Sequence, residues 1–218
     1  MPTPSPTVVV LGSLNTDLIV RTHRFPRAGE TVHGTNIREA PGGKSANQAV
    51  AAARLGAHTA LIGALGVDHH AHLLMTSLEQ AGVDISQVRQ HPATPTGTAI
   101  VTVDDTGENT IIVSPGANAL LHPEAIADSF AAFPQARYLC LCLESPLPTV
   151  IRAADLARQH RIRVVLNLSP YTDVPRALLT SVDILIVNEH EAAQLFSGTE
   201  DDLARDWDRA LAPCRNLE

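Results

Sequence analysis

Hydrophobic residues along this chain gather into short runs that alternate with longer segments of helical period. Five nearly continuous runs, rich in valine, isoleucine and leucine, are typical of strands covered on both faces of a sheet. These predicted strands are Thr7–Leu14, Thr59–Leu65, Tyr138–Leu143, Arg163–Leu168 and Asp183–Val187. The predicted helices are Ala46–Leu55, His70–Ala81, Pro123–Phe130, Pro148–His160, Pro175–Leu179, His190–Phe196 and Leu203–Leu211. The alternation favours a doubly wound, mainly parallel α/β sheet in a single domain over residues 1–218.

Two regions, about residues 18–40 and 97–114, depart from this alternation. Both contain extended segments with polar faces. In the second region, Thr98–Val103 and Thr110–Val113 flank a polar turn, which predicts a β-hairpin. We expect the two regions to form a small separate β-sheet that lies as a lid over the ligand crevice of a Rossmann-like core.

A pair of glycines opens the first predicted helix, in the segment Gly42-Gly43-Lys44-Ser45-Ala46-Asn47-Gln48. Adjacent glycines let the backbone pass close to a ligand, and the first amides of a helix have no partner within it. Lys44, Asn47 and Gln48 add polar groups near that end, while most other helix positions are alanine. The segment therefore predicts a site for a polar small molecule beside a closely packed helix.

Polar residues also lie directly after the predicted strands. In open α/β sheets, ligands bind beyond the carboxyl ends of the strands, where the sequence places Asn15, Asp17, Glu144 and Asn188. The first three, together with Asn47, have donors and acceptors for several hydroxyls of a sugar. Each residue alone is explained better by a turn or a helix cap. As a set on one edge of the sheet, they favour a ligand site.

Asn188 and Glu191 have the spacing of a capping box at the start of a helix. On its own, this pair predicts a helix cap. Because it follows a strand at the ligand edge, a role near a magnesium–phosphate unit is the second interpretation.

Composition narrows the class of protein. A content of 44% hydrophobic and 18% charged residues is typical of soluble globular domains, and a net charge of −7 argues against nucleic acid or an anionic membrane as a partner. The first residues lack the basic and apolar regions of a signal peptide, and no run has the length of a membrane span. Three cysteines, an odd number, favour a reduced cytoplasmic protein without a redox or metal role for its thiols.

Three other patterns carry less weight. Gly43-Lys44-Ser45 would need a glycine at position 38 to complete a P-loop, and that residue is Arg38. The first strand is not followed by Gly-x-Gly-x-x-Gly, which disfavours a nicotinamide-dependent enzyme. His69, His70 and His72 are spaced poorly for a metal site on one helical face.

Several motifs together resemble the N-terminal part of the ribokinase-like, phosphofructokinase-B-type carbohydrate kinases. The matching segments, in chain order, are Leu11–Asp17, Pro26-x-x-Gly29-Glu30-Thr31, Gly42–Ala51, Leu143–Pro146 and Val187–Ala192. Ser45 stands where these kinases usually have glycine. The resemblance covers essentially the whole chain.

The resemblance implies transfer of the γ-phosphoryl group of ATP to the primary hydroxyl of a sugar, with Mg²⁺ as cofactor and K⁺ as a candidate monovalent ion. D-ribose, giving ribose 5-phosphate, is the expected acceptor, while fructose, nucleosides and other sugars stay open. The implied sugar ligands are Asn15, Asp17, Gly43, Lys44, Asn47 and Glu144. Asn188 would lie near the nucleotide and Glu191 near the metal, and the lid sheet would join two chains into a homodimer.

One signature of these kinases is absent from the sequence. Their catalytic aspartate lies in an Asp-Thr-x-Ala-Ala-Gly-Asp motif, and the 218 residues contain no Ala-Gly-Asp. The resemblance therefore implies that the C-terminal part of the fold, with the base and most of the ATP pocket, lies beyond this chain, and that the chain alone is inactive. A non-catalytic sugar-binding protein is the main alternative, and a dimerisation module built on the lid is another.

Overall fold

The computed structural model describes residues 7–196. The strands are β1 (Val8–Leu11), β2 (Asn15–Arg21), β3 (Arg38–Gly42), β4 (Thr59–Leu65), β5 (Asp84–Gln90), β6 (Gly97–Val103), β7 (Asn109–Ser114), β8 (Tyr138–Cys142), β9 (Arg163–Asn167) and β10 (Ile184–Ile186). The α-helices are α1 (Lys44–Arg54), α2 (His69–Gln80), α3 (Ile126–Ala131), α4 (Leu147–Gln159), α5 (Arg176–Leu179) and α6 (Glu189–Leu195). Short 3₁₀ turns lie at Gly116–Leu120 and Pro123–Ala125.

Six strands form a wholly parallel central sheet in the order β10-β9-β8-β1-β4-β5. Successive residues of the inner strands contribute to two apolar cores, one on each face. Val9 packs in the core that includes α4, whereas Val10 packs in the core that includes α1 and α2. Because both faces are buried, the inner strands have continuous apolar sequences. The predicted doubly wound, mainly parallel α/β sheet is confirmed.

A second sheet of four strands has the order β3-β2-β6-β7. β2 and β6 are parallel, and the outer strands β3 and β7 are antiparallel to their neighbours. The predicted hairpin corresponds to β6 and β7, where Ile100 pairs with Ile112. β2 begins just after β1 ends, so this sheet, the lid, starts from the carboxyl edge of the central sheet.

The first predicted strand divides between the two sheets. β1 ends at Leu11 rather than Leu14, because Gly12, with a φ of 146°, turns the chain away from the central sheet. Asn15 then begins the lid strand β2. The run of apolar residues continues through this turn, so the sequence pattern does not show that the chain moves from one sheet to the other.

Other bounds also differ from the sequence-based ones. The lid pairing extends from β2 to β3, with only an isolated bridge between Thr22 and Gly34 in the intervening residues 22–37. The pattern does not predict β5, because most residues of this edge strand are polar. The helix predicted at Leu203–Leu211 lies outside the described residues.

Asp68 connects the lid to the central domain. Its side chain caps α2 by accepting the Ala71 amide at 2.8 Å, and it also accepts the amide and hydroxyl of Thr96 at 2.8 and 2.7 Å. Burial alone would raise the pKa of Asp68, but these donors outweigh it and hold the pKa below 3.8. Thr96 directly precedes β6, so the start of the lid hairpin is tied to the start of α2.

Candidate functional site

Gly43 places the start of α1 against the turn between β1 and β2. Its φ of 91° favours glycine, and a Cβ there would lie 2.8 Å from the carbonyl oxygen of Ser13 and from the amide nitrogen of Asn15. The Ala46 amide donates to the same Ser13 carbonyl at 3.1 Å. A side chain at position 43 would therefore separate the helix from the turn that precedes the lid.

Glu144 lies two residues after the end of β8 and is held against the start of α1. Its Oε2 accepts the hydroxyl of Ser13 at 2.5 Å and the backbone amide of Lys44 at 3.1 Å. The fully buried Ser13 hydroxyl in turn accepts the Ser45 amide at 3.3 Å. These donors fix the carboxyl group in one orientation, while its Oε1 has no hydrogen-bond partner within residues 7–196.

Asp17 approaches from the lid, where it pairs with Ala40 of β3 and Ala99 of β6. Its half-buried carboxyl group packs on the Cα of Gly42, where any side chain would overlap it. Burial, and to a smaller extent the charge of Glu144, raise the pKa of Asp17 above its usual 3.8. The two carboxyl groups are thus close enough to repel each other across the junction of lid and core.

Asn15, at the start of β2, is buried beside Asn118 of the 3₁₀ turn that follows the lid. The Nδ2 of Asn118 donates to the Oδ1 of Asn15 at 2.8 Å. Neither Asn118 nor Ser13 is among the predicted site residues, although both contact them. A usable signal exists for each: Ser13 lies inside the turn motif after β1, and Asn118 is a polar residue between alanines just after the hairpin.

Lys44 and Asn47 are placed differently from the acidic pair. The backbone of Lys44 contacts Glu144, as described above, whereas the side chain of Asn47 is exposed. Asn47 lines a cavity of about 160 Å³ between α1, α2 and β3, together with Pro41, Gly42, Ala46, Val50, Arg54, Leu74, Ser77 and Leu78. Gly42 lines this cavity and also contacts the carboxyl group of Asp17.

Asn188 and Glu191 form a complete capping box at the start of α6. Asn188 Oδ1 accepts the Glu191 amide at 2.7 Å, and Glu191 Oε2 accepts the Asn188 amide at 2.9 Å. Glu191 is 6% exposed. One oxygen of this carboxyl group is therefore engaged in the cap. The pair follows β10, which β9 separates from β8 and Glu144 in the sheet.

Two further polar groups near the site, the Ser45 hydroxyl and the Cys142 thiol, are buried and lie against each other. Ser45 donates to the Leu11 carbonyl at 3.2 Å and lies 3.0 Å from the sulfur of Cys142. Burial raises the pKa of Cys140 to about 11, so that thiol stays protonated at neutral pH. Within residues 7–196, no group of three or more His, Cys, Asp or Glu side chains could hold a metal ion.

None of the helices in the described part of the chain combines the length and the apolar character needed to cross a bilayer.

Comparison with known proteins identifies the family. Residues 5–212 match the model of the pfkB family carbohydrate kinases. The ribokinase of Staphylococcus aureus is 38% identical over 192 residues, which are 88% of this chain and 63% of that protein. The ribokinase of Haemophilus influenzae is 38% identical over 194 residues, with coverage of 89% and 63%. The chain thus spans less than two thirds of the length of these curated relatives.

The fold agrees with this match. The structure of Arabidopsis thaliana ribokinase complexed with ribose and ATP superimposes with a TM-score of 0.85 at 34% identity, covering 98% of this chain and 70% of that one. The family match extends over most of the sequence, and the two sheets have the arrangement that the resemblance implies. The chain belongs to the pfkB family of carbohydrate kinases.

Proposed function

We propose that this chain forms the sugar-binding part of an ATP-dependent ribokinase-type carbohydrate kinase, with D-ribose as the acceptor. The observation that carries the proposal is the approach of Asp17 from the lid to Glu144 at the start of α1. Two carboxyl groups at a sheet edge are suited to accept hydrogen bonds from neighbouring hydroxyls, and such charge-assisted bonds are the stronger kind. The names of the similar ribokinases support ribose in particular.

In this proposal, each predicted sugar ligand has a stated role. Asp17 and Glu144 accept protons of ribose hydroxyls, and Asn15 donates to a hydroxyl oxygen. The missing side chain of Gly43 lets the sugar approach the backbone, while Lys44 and Asn47 bind from α1. Asn47 reaches the sugar from the adjoining cavity.

We also propose roles for the nucleotide and the ions, in less detail than for the sugar. ATP is the phosphoryl donor, with Asn188 near its phosphates and Glu191 near Mg²⁺. Because one oxygen of Glu191 accepts the Asn188 amide, only the other could face a hydrated ion. The described residues alone do not form a coordination shell, and Mg²⁺ commonly uses phosphate and water oxygens. K⁺ is proposed as a further activator.

The chain associates as a homodimer through the lid and works in the cytoplasm, without nucleic acid or membrane as a partner. The net charge of −7 supports the last point.

Phosphoryl transfer also needs a base for the hydroxyl proton. Because the sequence contains no Ala-Gly-Asp motif, we propose that the 218-residue chain binds ribose but does not phosphorylate it at the rate of a complete kinase. The same observation favours the second candidate function, a sugar-binding protein without catalysis.

Calorimetric titration of the chain with D-ribose tests the proposal. We expect saturable binding that Asp17→Asn combined with Glu144→Gln weakens by about 100-fold, as the loss of two charge-assisted hydrogen bonds implies. Asp128→Asn, an exposed aspartate on α3, is the matched control. ADP release with ribose and MgATP is measured in parallel. Absence of ribose binding would refute the sugar site, and turnover at the rate of a complete kinase would refute the inactivity of this chain.

A further inference from the structure

Asn118 controls which end of the Asn15 carboxamide is available to a ligand. We infer that Asn118 is a positioning residue that makes Asn15 a hydrogen-bond donor in the sugar site. The inference rests on the proposed function for the identity of the ligand. The orientation of the Asn15 carboxamide in the free protein can be tested without any sugar.

Asn118 is 2% exposed and uses its whole carboxamide in hydrogen bonds. Its Oδ1 accepts the backbone amide of Leu14 at 3.0 Å. Its Nδ2 donates to the backbone carbonyl of Leu14 at 3.1 Å and to the Oδ1 of Asn15 at 2.8 Å. Both protons of that nitrogen are therefore used.

The backbone of Leu14 determines the orientation of Asn118. An amide N–H can only donate and a carbonyl can only accept. If the Asn118 carboxamide were flipped, its nitrogen would face the Leu14 N–H and its oxygen would face the Leu14 carbonyl. Both hydrogen bonds would be lost inside a buried site, which is strongly unfavourable. The choice of oxygen and nitrogen at Asn118 is therefore set by the backbone.

The orientation of Asn15 follows from that of Asn118. Since the Nδ2 of Asn118 must meet an acceptor, Asn15 presents its Oδ1 to it. The Nδ2 of Asn15 is then directed elsewhere, and within residues 7–196 no group accepts a hydrogen bond from it. Asn15 and Asn118 are each 2% exposed, so most of either carboxamide is out of contact with bulk water.

Packing holds the pair together. Gly97, the first residue of β6, pairs with Asn15 in the lid, and any side chain at this position would overlap both carboxamides. The start of β2, the start of β6 and the turn after β7 thus meet at Asn118. The orientation of Asn15 is therefore linked to the correct assembly of the lid.

This arrangement constrains the ligand. A hydroxyl that accepts from the Asn15 nitrogen keeps its own proton, which it can donate to a carboxylate such as Asp17 two residues further along β2. A hydroxyl satisfies both contacts, whereas an ammonium group has no lone pair for Asn15 and a deoxy position satisfies neither. Asn118 therefore favours polyhydroxylated ligands through the polarity that it imposes on Asn15.

Side-chain amide exchange in the free chain, followed by ¹⁵N NMR, tests the orientation directly. We expect the Nδ2 protons of Asn118 to exchange slowly and those of Asn15 to exchange faster. Addition of D-ribose should then shift and protect the Asn15 resonances. The reverse order of exchange in the free chain would overturn the inference even if ribose binds, whereas failure of ribose binding with the expected order would count only against the proposed function.

Two variants at position 118 separate positioning from stability. Asn118→Asp presents an acceptor to Asn15, so Asn15 should turn its nitrogen inward and lose affinity for ribose by about tenfold, the value of one hydrogen bond. Asn118→Leu removes the partner without imposing a new orientation and should lose less affinity. The control is Thr149→Val, which removes a buried hydrogen bond to the Leu121 carbonyl away from the site. If affinity followed the melting temperature across all three variants, Asn118 would be only structural.

Discussion

The two acidic side chains at the junction of lid and core differ in how they are held. Glu144 receives the Ser13 hydroxyl and the Lys44 amide, whereas the carboxyl group of Asp17 receives no hydrogen bond from residues 7–196. A half-buried carboxylate near another acid and without donors favours its protonated form. Asp17 therefore lowers the stability of the free protein at neutral pH, and a ligand hydroxyl would supply the donor that it lacks.

Asp17→Asn should therefore stabilise the free chain while it weakens ribose binding. The folded pKa of Asp17 is higher than the 3.8 of the unfolded chain, so stability falls as the pH rises from 3.8 through the folded pKa. Removing the charge should raise the unfolding midpoint at neutral pH by about 2–4 °C. The gain should shrink as the pH is lowered toward 3.8, which circular dichroism melting curves at several pH values would measure.

Asp128→Asn provides the comparison for this prediction, because Asp128 is exposed and has no ion-pair partner among the described residues. Its substitution should not raise the midpoint at neutral pH, because an acidic group in the first turn of α3 is at most weakly stabilising. A destabilised Asp17→Asn at neutral pH would show that the carboxylate has a stabilising partner, contrary to the environment described above.

The entry of α1 depends on a close backbone contact. Gly43 has no Cβ, so the first turn of α1 contacts Ser13 and Asn15 directly and its Lys44 amide reaches Glu144. The mostly alanine face of α1 continues this close approach to the sheet, with Ala46 and Ala49 buried. On the side of α1, a backbone amide at the helix start, rather than a long side chain, therefore holds Glu144 in position.

Gly43→Ala should be much more destabilising than Gly56→Ala. The two glycines have φ values of 91° and 92°, so both lie in the half of backbone space that favours glycine. A Cβ at Gly56 has open space, whereas at Gly43 it would lie 2.8 Å from two backbone atoms. We expect losses in the free energy of unfolding of about 1 kcal/mol for Gly56→Ala and about 3 kcal/mol for Gly43→Ala. Urea denaturation measures both, and equal losses would mean that α1 adjusts freely.

Local signals explain which elements the sequence predicts correctly. The lid hairpin has alternating residues around a turn, and the start of α1 has a glycine pair followed by alanines, so a short window contains the information in each case. The end of β1 and the existence of β5 depend on which sheet a segment joins. Which sheet a segment joins depends on its contacts with distant parts of the chain, and hydrophobic periodicity contains no information about those contacts.

The same distinction applies to the site. The sequence predicts Asp17 and Glu144 because each follows the end of a predicted strand, where ligand residues are expected, although Asp17 in fact lies within β2. It does not reveal that Ser13 orients Glu144 from 131 residues away, or that Asn118 orients Asn15 from 103 residues away. Both residues lie in recognisable local patterns, but a single sequence does not record which distant side chain each of them contacts.

Considered as a whole, the described chain has two exposed apolar edges. One is in the lid, where β7 is an edge strand and Ile112 is 70% exposed. The other is β10 at the edge of the central sheet, where Ile184 and Ile186 are 47% and 49% exposed. Exposed edge strands with apolar side chains tend to pair with other chains. The proposed dimer therefore has two candidate surfaces, and the proposed function favours the lid.

A charge placed on each edge distinguishes these surfaces. In Ile112→Asp the carboxylate would lie in the lid interface, where burying an unpaired charge is unfavourable by several kcal/mol. We expect sedimentation velocity to show a dimer for the unchanged chain and a monomer for Ile112→Asp, while Ile186→Asp on β10 stays dimeric. The comparison is fair because both substitutions replace an exposed isoleucine on an edge strand and disturb neither core. A dimer that survives Ile112→Asp and dissociates with Ile186→Asp would place the association at the central sheet, and the β7 edge of the lid would then be unpaired in both chains.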